Sequence, residues 1–213
     1  MARASTKPSS TKRPRAKRGE GDKLRAQILG AANDLLMETG DQEAVSIRAV
    51  AERVGVTPPS IYMHFADKNE LLFAVCEQHF DALDRVIQQA TEGIEDPLEA
   101  LRQGGRAYVQ FGLDNPEQYR ILFMSKPAAA PDGFQEERLK GSSAFDHLVE
   151  MVHTGVSAGV FAGDPVMIAI CLWASVHGVT SLLLSHPNFP WPDREAVIDA
   201  VLATPMFGLV AKP

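Results

Sequence analysis

Apolar residues along most of this chain recur at spacings of three and four, the period of a helix with one buried face. Leu24, Ile28, Ala31, Ala32, Leu35 and Leu36 set that rhythm from Asp22 onward, and Gly40 can close the helix in a left-handed C′ conformation. Two short helices are expected next, over 46–54 and 57–65, parted by Gly55. Asp67 followed by Glu70 is an N-cap signature, and Leu71, Leu72, Val75, Phe80, Leu83 and Ile87 carry a long helix to about Gln89.

Asp96-Pro97 and Asn115-Pro116 repeat one device, a capping side chain followed by proline at the first helical position, and start helices near 97–113 and 116–124. Residues 126–133 read as a Pro/Ala loop, and a further helix runs to about Gly155. An apolar segment follows Gly163-Asp164, and Pro192-Asp193 opens a last helix through Val201. With no sustained strand alternation and no internal repeat, the expected fold class is all-α.

The apolar segment carries no Asp, Glu, Lys or Arg from Pro165 to Pro192, and its stretch 166–185 approaches the roughly 20 residues of a membrane span. Trp173, His177 and Ser181 lie one turn apart with the small Ala174 and Gly178 beside them, a pattern suited to packing on another helix. Lipid would leave those groups poorly paired, and no basic cluster flanks the segment. A buried core or dimer helix is therefore expected.

At 213 residues, 45 % apolar and 23 % charged, the chain can bury a core without staples and is not wholly disordered. Cys76 and Cys171 lie far apart in apolar runs and suit two buried thiols in a reducing compartment. Charge divides by position. Residues 1–68 hold 12 Lys/Arg and 8 Asp/Glu, net +4, whereas 69–213 hold 9 and 19, net −10. Arg3, Lys7, Lys12, Arg13, Arg15, Lys17 and Arg18 crowd the N-terminus with no acid among them, a bias that suits a polyanion. Gly19-Glu20-Gly21-Asp22 follows where a signal peptide needs an apolar stretch, so a cytoplasmic location is expected. Residues 1–21 have too little apolar surface to repay ordering and are expected to form a disordered arm. That arm either tracks a DNA groove and its phosphates or is a solvated leader.

Function is carried by the block Ser46-Ile-Arg-Ala-Val-Ala-Glu-Arg-Val-Gly-Val-Thr-Pro-Pro-Ser-Ile-Tyr-Met-His-Phe65. Ile47, Val50 and Val54 share one face of the first helix, Ala51 lets the second cross closely, and Gly55 frees the turn. Val56 and Ile61 then plug the same core, Thr57 can cap the second helix, and Pro58 sits where a donor would be orphaned anyway. Pro58, Ser60, Tyr62 and His64 are left facing outward. This is a helix-turn-helix, and Thr57, Ser60, Tyr62 and His64 suit phosphates and base edges. Arg48 can reach the flanking backbone, and Lys68 offers a phosphate both its ammonium and helix-terminal N–H groups.

The run from Ala51 to Leu72, with Gly55-Val56, Ile61-Tyr62, His64-Phe65 and Lys68-Asn69-Glu70-Leu71-Leu72 in place, resembles the DNA-binding domain of TetR/AcrR-type transcriptional regulators. The similarity covers about residues 22–72. It implies an all-helical homodimer, an N-terminal three-helix reader and a divergent C-terminal domain that binds a small molecule, more often in a repressor than an activator. By position it places phosphate contacts on Ser46, Tyr62, His64 and Lys68, and groove contacts on Arg48, Thr57, Pro58 and Ser60. The Pro58-Pro59 pair departs from the pattern and removes two donors, which shifts sequence preference toward DNA shape. Trp173-Ala-Ser-Val-His177-Gly178 resembles a Trp-x-x-x-His-Gly pattern of one C-terminal subgroup. The expected division is an arm over 1–21, a DNA-binding domain over 22–68 and a ligand-binding and dimerisation domain over 69–213.

Phe80, Leu83, Tyr108, Phe111, Tyr119, Phe123, Met124, Phe145, Met151, Trp173 and His177 are the candidates to line a largely apolar effector pocket, although such residues also build plain core. His177 is the polar candidate, in the pocket or across a dimer interface. Dimerisation is expected through 166–185 and 193–203, packed as a four-helix bundle. An effector would release palindromic operator DNA by respacing the two reading helices.

Two rival classes remain: a DNA-binding architectural protein without effector, and a hydrolase. Gly155-Val-Ser157-Ala-Gly159 spells a nucleophile elbow, with Asp164 and His177 in hydrolase order, but lacks the preceding strand that the elbow needs. Neither Cys76 with His79 nor His147 with His153 reaches the three or four convergent ligands of a metal site. No catalysis, metal or cofactor is expected.

Overall fold

The computed structural model describes residues 20–124 and 143–203. The expected arm up to residue 19 and the loop 126–133 lie outside them. The described chain is all-α: α1 (Glu20–Thr39), α2 (Ile47–Val54), α3 (Pro58–Tyr62), α4 (Lys68–Thr91), α5 (Pro97–Asp114), α6 (Pro116–Phe123), α7 (Ser143–Ser157), α8 (Pro165–Ser185) and α9 (Arg194–Ala203).

Helix starts follow their caps. Asp67 accepts from Glu70 N at 2.9 Å, Asp96 from Leu98 N at 3.0 Å, Asp164 from Met167 N at 2.8 Å and Asp193 from Ala196 N at 2.9 Å, each satisfying an N–H that the helix itself cannot. Asn115 departs from the expected pattern. It alone separates α5 from α6, and its amide donates back to Phe111 O at 3.0 Å, so it closes α5 instead of capping α6.

Packing makes α4 the spine. Its first turns bury Leu71, Leu72 and Val75 against Ile28, Ala32 and Leu36 of α1 and against Val50 and Ile61 of the short helices. Its later turns bury Phe80, Leu83 and Ile87 with Tyr108 and Val109 of α5 and Val176 of α8, in the same continuous core. A smaller cluster joins Leu101, Val152, Phe161, Ile168 and Leu172 from α5, α7, the loop after it and α8. Helix α9 closes the assembly over α5 and α8.

By length and composition α8 is, among the described residues, the helix that could cross a membrane. It packs instead on α5, α7 and α9, with Ile168, Ala169, Leu172, Val176, Val179, Thr180 and Leu183 buried. Its other face leaves Met167, Ile170 and Leu182 exposed. Cys171 lies on that outer face, so only Cys76 of the two thiols is buried as expected.

Candidate functional site

The reader is assembled from its turn outward. Ser46 caps α2 by accepting from Ala49 N at 3.1 Å. Gly55, at φ 78°, ends it, and Gly55 N and Val56 N donate to Glu52 O and Ala51 O at 3.2 and 2.9 Å. That paired closure needs a left-handed residue, which glycine adopts without a Cβ penalty. The chain then turns so that Val50 and Ala51 of α2 and Ile61 of α3 are buried together.

Helix α3 is five residues long, shorter than the expected 57–65, because Phe65 leaves it to fill the core. There Phe65 carries the Arg25 guanidinium 4.9 Å above its ring. The expected Thr57 cap is also absent. Pro59 has no N–H, the Ser60 N–H is taken by the Thr57 carbonyl at 2.8 Å, and the Thr57 hydroxyl lies 3.2 Å from that of Ser60.

Thr57, Pro58, Tyr62, Ser46 and Arg48 are exposed, while Ser60, His64 and Lys68 are half-buried, and a shallow groove between α2 and α3 runs past Arg48, Glu52, Pro58 and Tyr62. Lys68 lies 3.5 Å from Glu43. Met63, next to Tyr62, is 83 % exposed against 54 % for that tyrosine. The sequence candidates on this edge are chosen chiefly for hydrogen-bonding groups, which a thioether does not offer.

A second site lies in the C-terminal helices. Phe80, Leu83, Tyr108, Phe123, Phe145, Met151 and Trp173 meet around an apolar cavity of about 70 Å³. Ile87, Leu101, Gly104, Gly105, Ala144, Leu148, Leu172, Ser175, Val176, Val201 and Leu202 complete its walls, with no charged side chain among them. The glycines are there for space. A Cβ on Gly105 would lie 2.6 Å from Leu202 of α9, and one on Gly104 would lie 3.3 Å from Thr91. Two adjacent glycines inside a helix were the signal that could have found this wall.

Four candidates stand outside the lining. Phe111 is buried in the main core, and Met124, at the end of α6, is 41 % exposed and points away because the helix turns it to solvent. Tyr119 and His177 stand behind the wall. His177 Nδ1 lies 2.7 Å from the Tyr119 hydroxyl and 3.2 Å from that of Tyr108, and Trp173 Nε1 donates to Tyr108 at 3.4 Å. One ring nitrogen serves a single strong partner, so the shorter contact to Tyr119 carries the bond. Burial pushes the Tyr119 hydroxyl up to about 12, raises Tyr108 well above its usual value, and holds His177 below its own. The imidazole is the neutral centre of a ring cluster completed by Phe123.

The elbow-like motif has a packing explanation. Ser157 ends α7, and the Phe161 ring sits where a Cβ on Gly155 would stand, 2.1 Å away. Gly159, at φ 73°, closes the helix as Val160 N donates to Gly155 O and Gly159 N to Val156 O. Both glycines are thus accounted for by a helix terminus, and His177 faces tyrosines. Of the two pairs that fall short of a metal site, Cys76 and His79 are buried on α4, and His147 lies 3.3 Å from Asp84.

Comparison with known proteins covers both sites. Residues 28–75 match the family model of bacterial regulatory proteins of the tetR family, and residues 101–204 match a tetracyclin repressor-like C-terminal domain. The HTH-type transcriptional activator FasR of Mycolicibacterium smegmatis is 28 % identical over 153 residues, which cover 72 % of this chain and 68 % of the relative. A solved protein of unknown function from Rhodococcus sp. RHA1 is 27 % identical and superposes with a TM-score of 0.71 over 88 % of this chain and 96 % of its own. A putative tetR family transcription regulator from Shewanella sp. PV-4 shares the fold at 17 % identity, with a TM-score of 0.69 over 89 % and 99 % of the two chains. This chain belongs to the TetR family of bacterial regulatory proteins.

Proposed function

We propose that this transcription regulator is a cytoplasmic homodimer that binds palindromic operator DNA through α3 and releases it when a small, uncharged, largely apolar effector enters the cavity beneath α9. The observation that carries this is α3 itself: buried Ile61 pins it between the Gly55 turn and Phe65, leaving Thr57, Pro58, Tyr62 and Met63 outward. Arg48, Thr57, Pro58 and Ser60 are assigned to the groove, and Ser46, Tyr62, His64 and Lys68 to phosphates. Met63 adds an apolar contact of the kind a thymine methyl accepts.

Dimerisation through α8 and α9 is supported by the exposed Met167, Ile170 and Leu182, with Ala174 and Gly178 small enough for close approach of a second helix pair. Release is supported by the cavity's size. About 70 Å³ is under half the roughly 150 Å³ that holds benzene, so an effector must displace a wall. One wall is Phe123 of α6, whose other end sets Glu117 against Gly40 just past α1, 3.8 Å from a Cβ there. A shift of α6 therefore reaches the reader, and half-sites roughly 34–36 Å apart tolerate little change in spacing.

The default action proposed is repression. The activator name of the Mycolicibacterium relative favours activation as a second reading, and transcription in vitro from an operator-bearing promoter separates the two. Selection of duplexes from a random pool tests the DNA assignment. The purified chain should enrich an inverted repeat, and Thr57→Ala with Ser60→Ala and Tyr62→Ala should lose that preference while melting at the wild-type temperature. A pool left unenriched by the wild-type chain would contradict it.

A further inference from the structure

The cavity wall is apolar except at one corner. Of the described side chains that line it, only those of Tyr108, Trp173 and Ser175 carry a nitrogen or an oxygen. Ser175 is spent, because its hydroxyl donates to Cys171 O, one turn back along α8, at 2.9 Å. The neighbouring cation is spent too. Arg106 follows the wall glycine Gly105, but its guanidinium is held by Glu195 of α9 at 2.7 Å and by Asp199. A carboxylate entering the cavity would therefore meet no counter-charge, and an ammonium would meet no carboxylate.

The corner itself is made of two donors on packed helices. Tyr108 of α5 is 6 % exposed, and burial keeps its hydroxyl protonated. Trp173 Nε1 of α8 donates to that hydroxyl oxygen at 3.4 Å. The Tyr108 proton faces His177 Nδ1 at 3.2 Å and the Tyr119 hydroxyl, which are already bonded to each other at 2.7 Å. Such donors bond best at roughly 2.7–3.0 Å, so both hold slack partners. An oxygen about 2.9 Å from each would give both a shorter bond, and heavy atoms 3.4 Å apart leave room for that triangle.

We infer that Tyr108 and Trp173 form a two-donor clamp for one carbonyl oxygen, and that the clamp restricts the effector to uncharged, largely apolar molecules that carry a carbonyl against this corner. This rests on the reading of the cavity as the effector site. A carbonyl oxygen suits the pair because it accepts on two lone pairs and donates nothing. The apolar wall alone ranks guests by size and fit. The clamp adds a second criterion: a guest without an acceptor leaves the slack bonds as they were, and one that carries its oxygen elsewhere buries it unpaired.

The experiment uses the full chain carrying Phe123→Ala, whose enlarged cavity should admit a solute of about benzene's size, and the same chain with Tyr108→Phe added. Cyclohexanone and methylenecyclohexane, which differ only in C=O against C=CH2, are titrated into each chain by calorimetry. Comparing one guest between two chains cancels that guest's own hydration. Tyr108→Phe should weaken cyclohexanone about tenfold and change methylenecyclohexane by less than about threefold. In the chain that keeps Tyr108, cyclohexanone should also move the Trp173 indole proton downfield, a signal told apart from that of Trp191 by Trp191→Phe, and methylenecyclohexane should not. Cooperative melting shows that each chain is folded, and Phe123→Leu replaces Phe123→Ala if the latter does not melt cooperatively. Equal effects of Tyr108→Phe on the two guests overturn the clamp alone. Binding of neither guest to any of these chains overturns the cavity reading beneath it.

Discussion

His177 of α8 stacks on Tyr119 of α6, ring centroids 5.6 Å apart and planes inclined at 26°, while its Nδ1 lies 2.7 Å from the same tyrosine's hydroxyl. The pair ties α6, whose first turn sets Glu117 beside Gly40 after α1, to α8, the helix proposed for dimerisation. Phe123 and Trp173 are both in ring contact with His177, so displacing either would load both helices at once.

Burial lowers the His177 pKa in the native state, so the unfolded chain takes up its proton first as pH falls. The contribution is intact above the unfolded value of about 6.5 and is lost as pH drops through the lowered native value. Melting temperatures between about pH 7.5 and 5.5 should fall more steeply for the wild type than for His177→Gln. Parallel curves would mean that His177 is not held neutral.

Phe123 sits edge-on or tilted against Phe80, Tyr108, Tyr119, Trp173 and His177. Phe123→Ala should cost about 3–5 kcal/mol in denaturant unfolding and enlarge the cavity beside it. A benzene-sized solute should then raise the melting temperature of the variant and leave the wild type unchanged. Failure of any small aromatic to do so would place Phe123 outside the cavity wall.

A Cβ on Gly112 would lie 2.4 Å from Thr180 Cγ2 and 2.9 Å from Tyr119 Cδ2. Gly112→Ala should therefore destabilise by about 1–3 kcal/mol despite alanine's better helix propensity. Thr180→Ser removes the clashing methyl and keeps the hydroxyl on Val176 O, so the double variant should recover part of the loss. Additive effects in the double-mutant cycle would refute the contact.

The exposed stripe of α8 gives an assembly test. Leu182→Glu, at a position 50 % exposed in the single chain, should leave the fold intact and shift the sedimenting species from dimer to monomer, with loss of palindrome binding. A variant that stays dimeric would move the interface elsewhere.

Much of the fold was legible because its signals are local. Asp67, Asp96, Asp164 and Asp193 announce helix starts through side-chain bonds made within three residues, and Gly55 announces the turn through backbone sterics. What escaped depends on distant partners. Gly105 and Gly155 make sense only once Leu202 and Phe161 are seen on them. Asn115 resembles a cap until the one-residue junction forces its amide back onto α5. Along α8 nearly every residue is apolar, so periodicity could not tell the buried Leu172 from the exposed Ile170 and Cys171. The cavity-forming aromatics were recognisable as a set, yet the placement of Tyr119 and His177 behind the wall follows from a hydrogen bond across 58 residues of sequence.

Methylation protection of guanine N7 on the selected operator tests the central claim most directly, since N7 lies in the major groove where α3 is assigned. The wild-type chain should protect two patches one helical turn apart, and Thr57→Ala with Ser60→Ala and Tyr62→Ala should abolish both without changing the melting temperature. Protection that persists unchanged in that variant, or none in the wild type at saturating protein, would contradict the account.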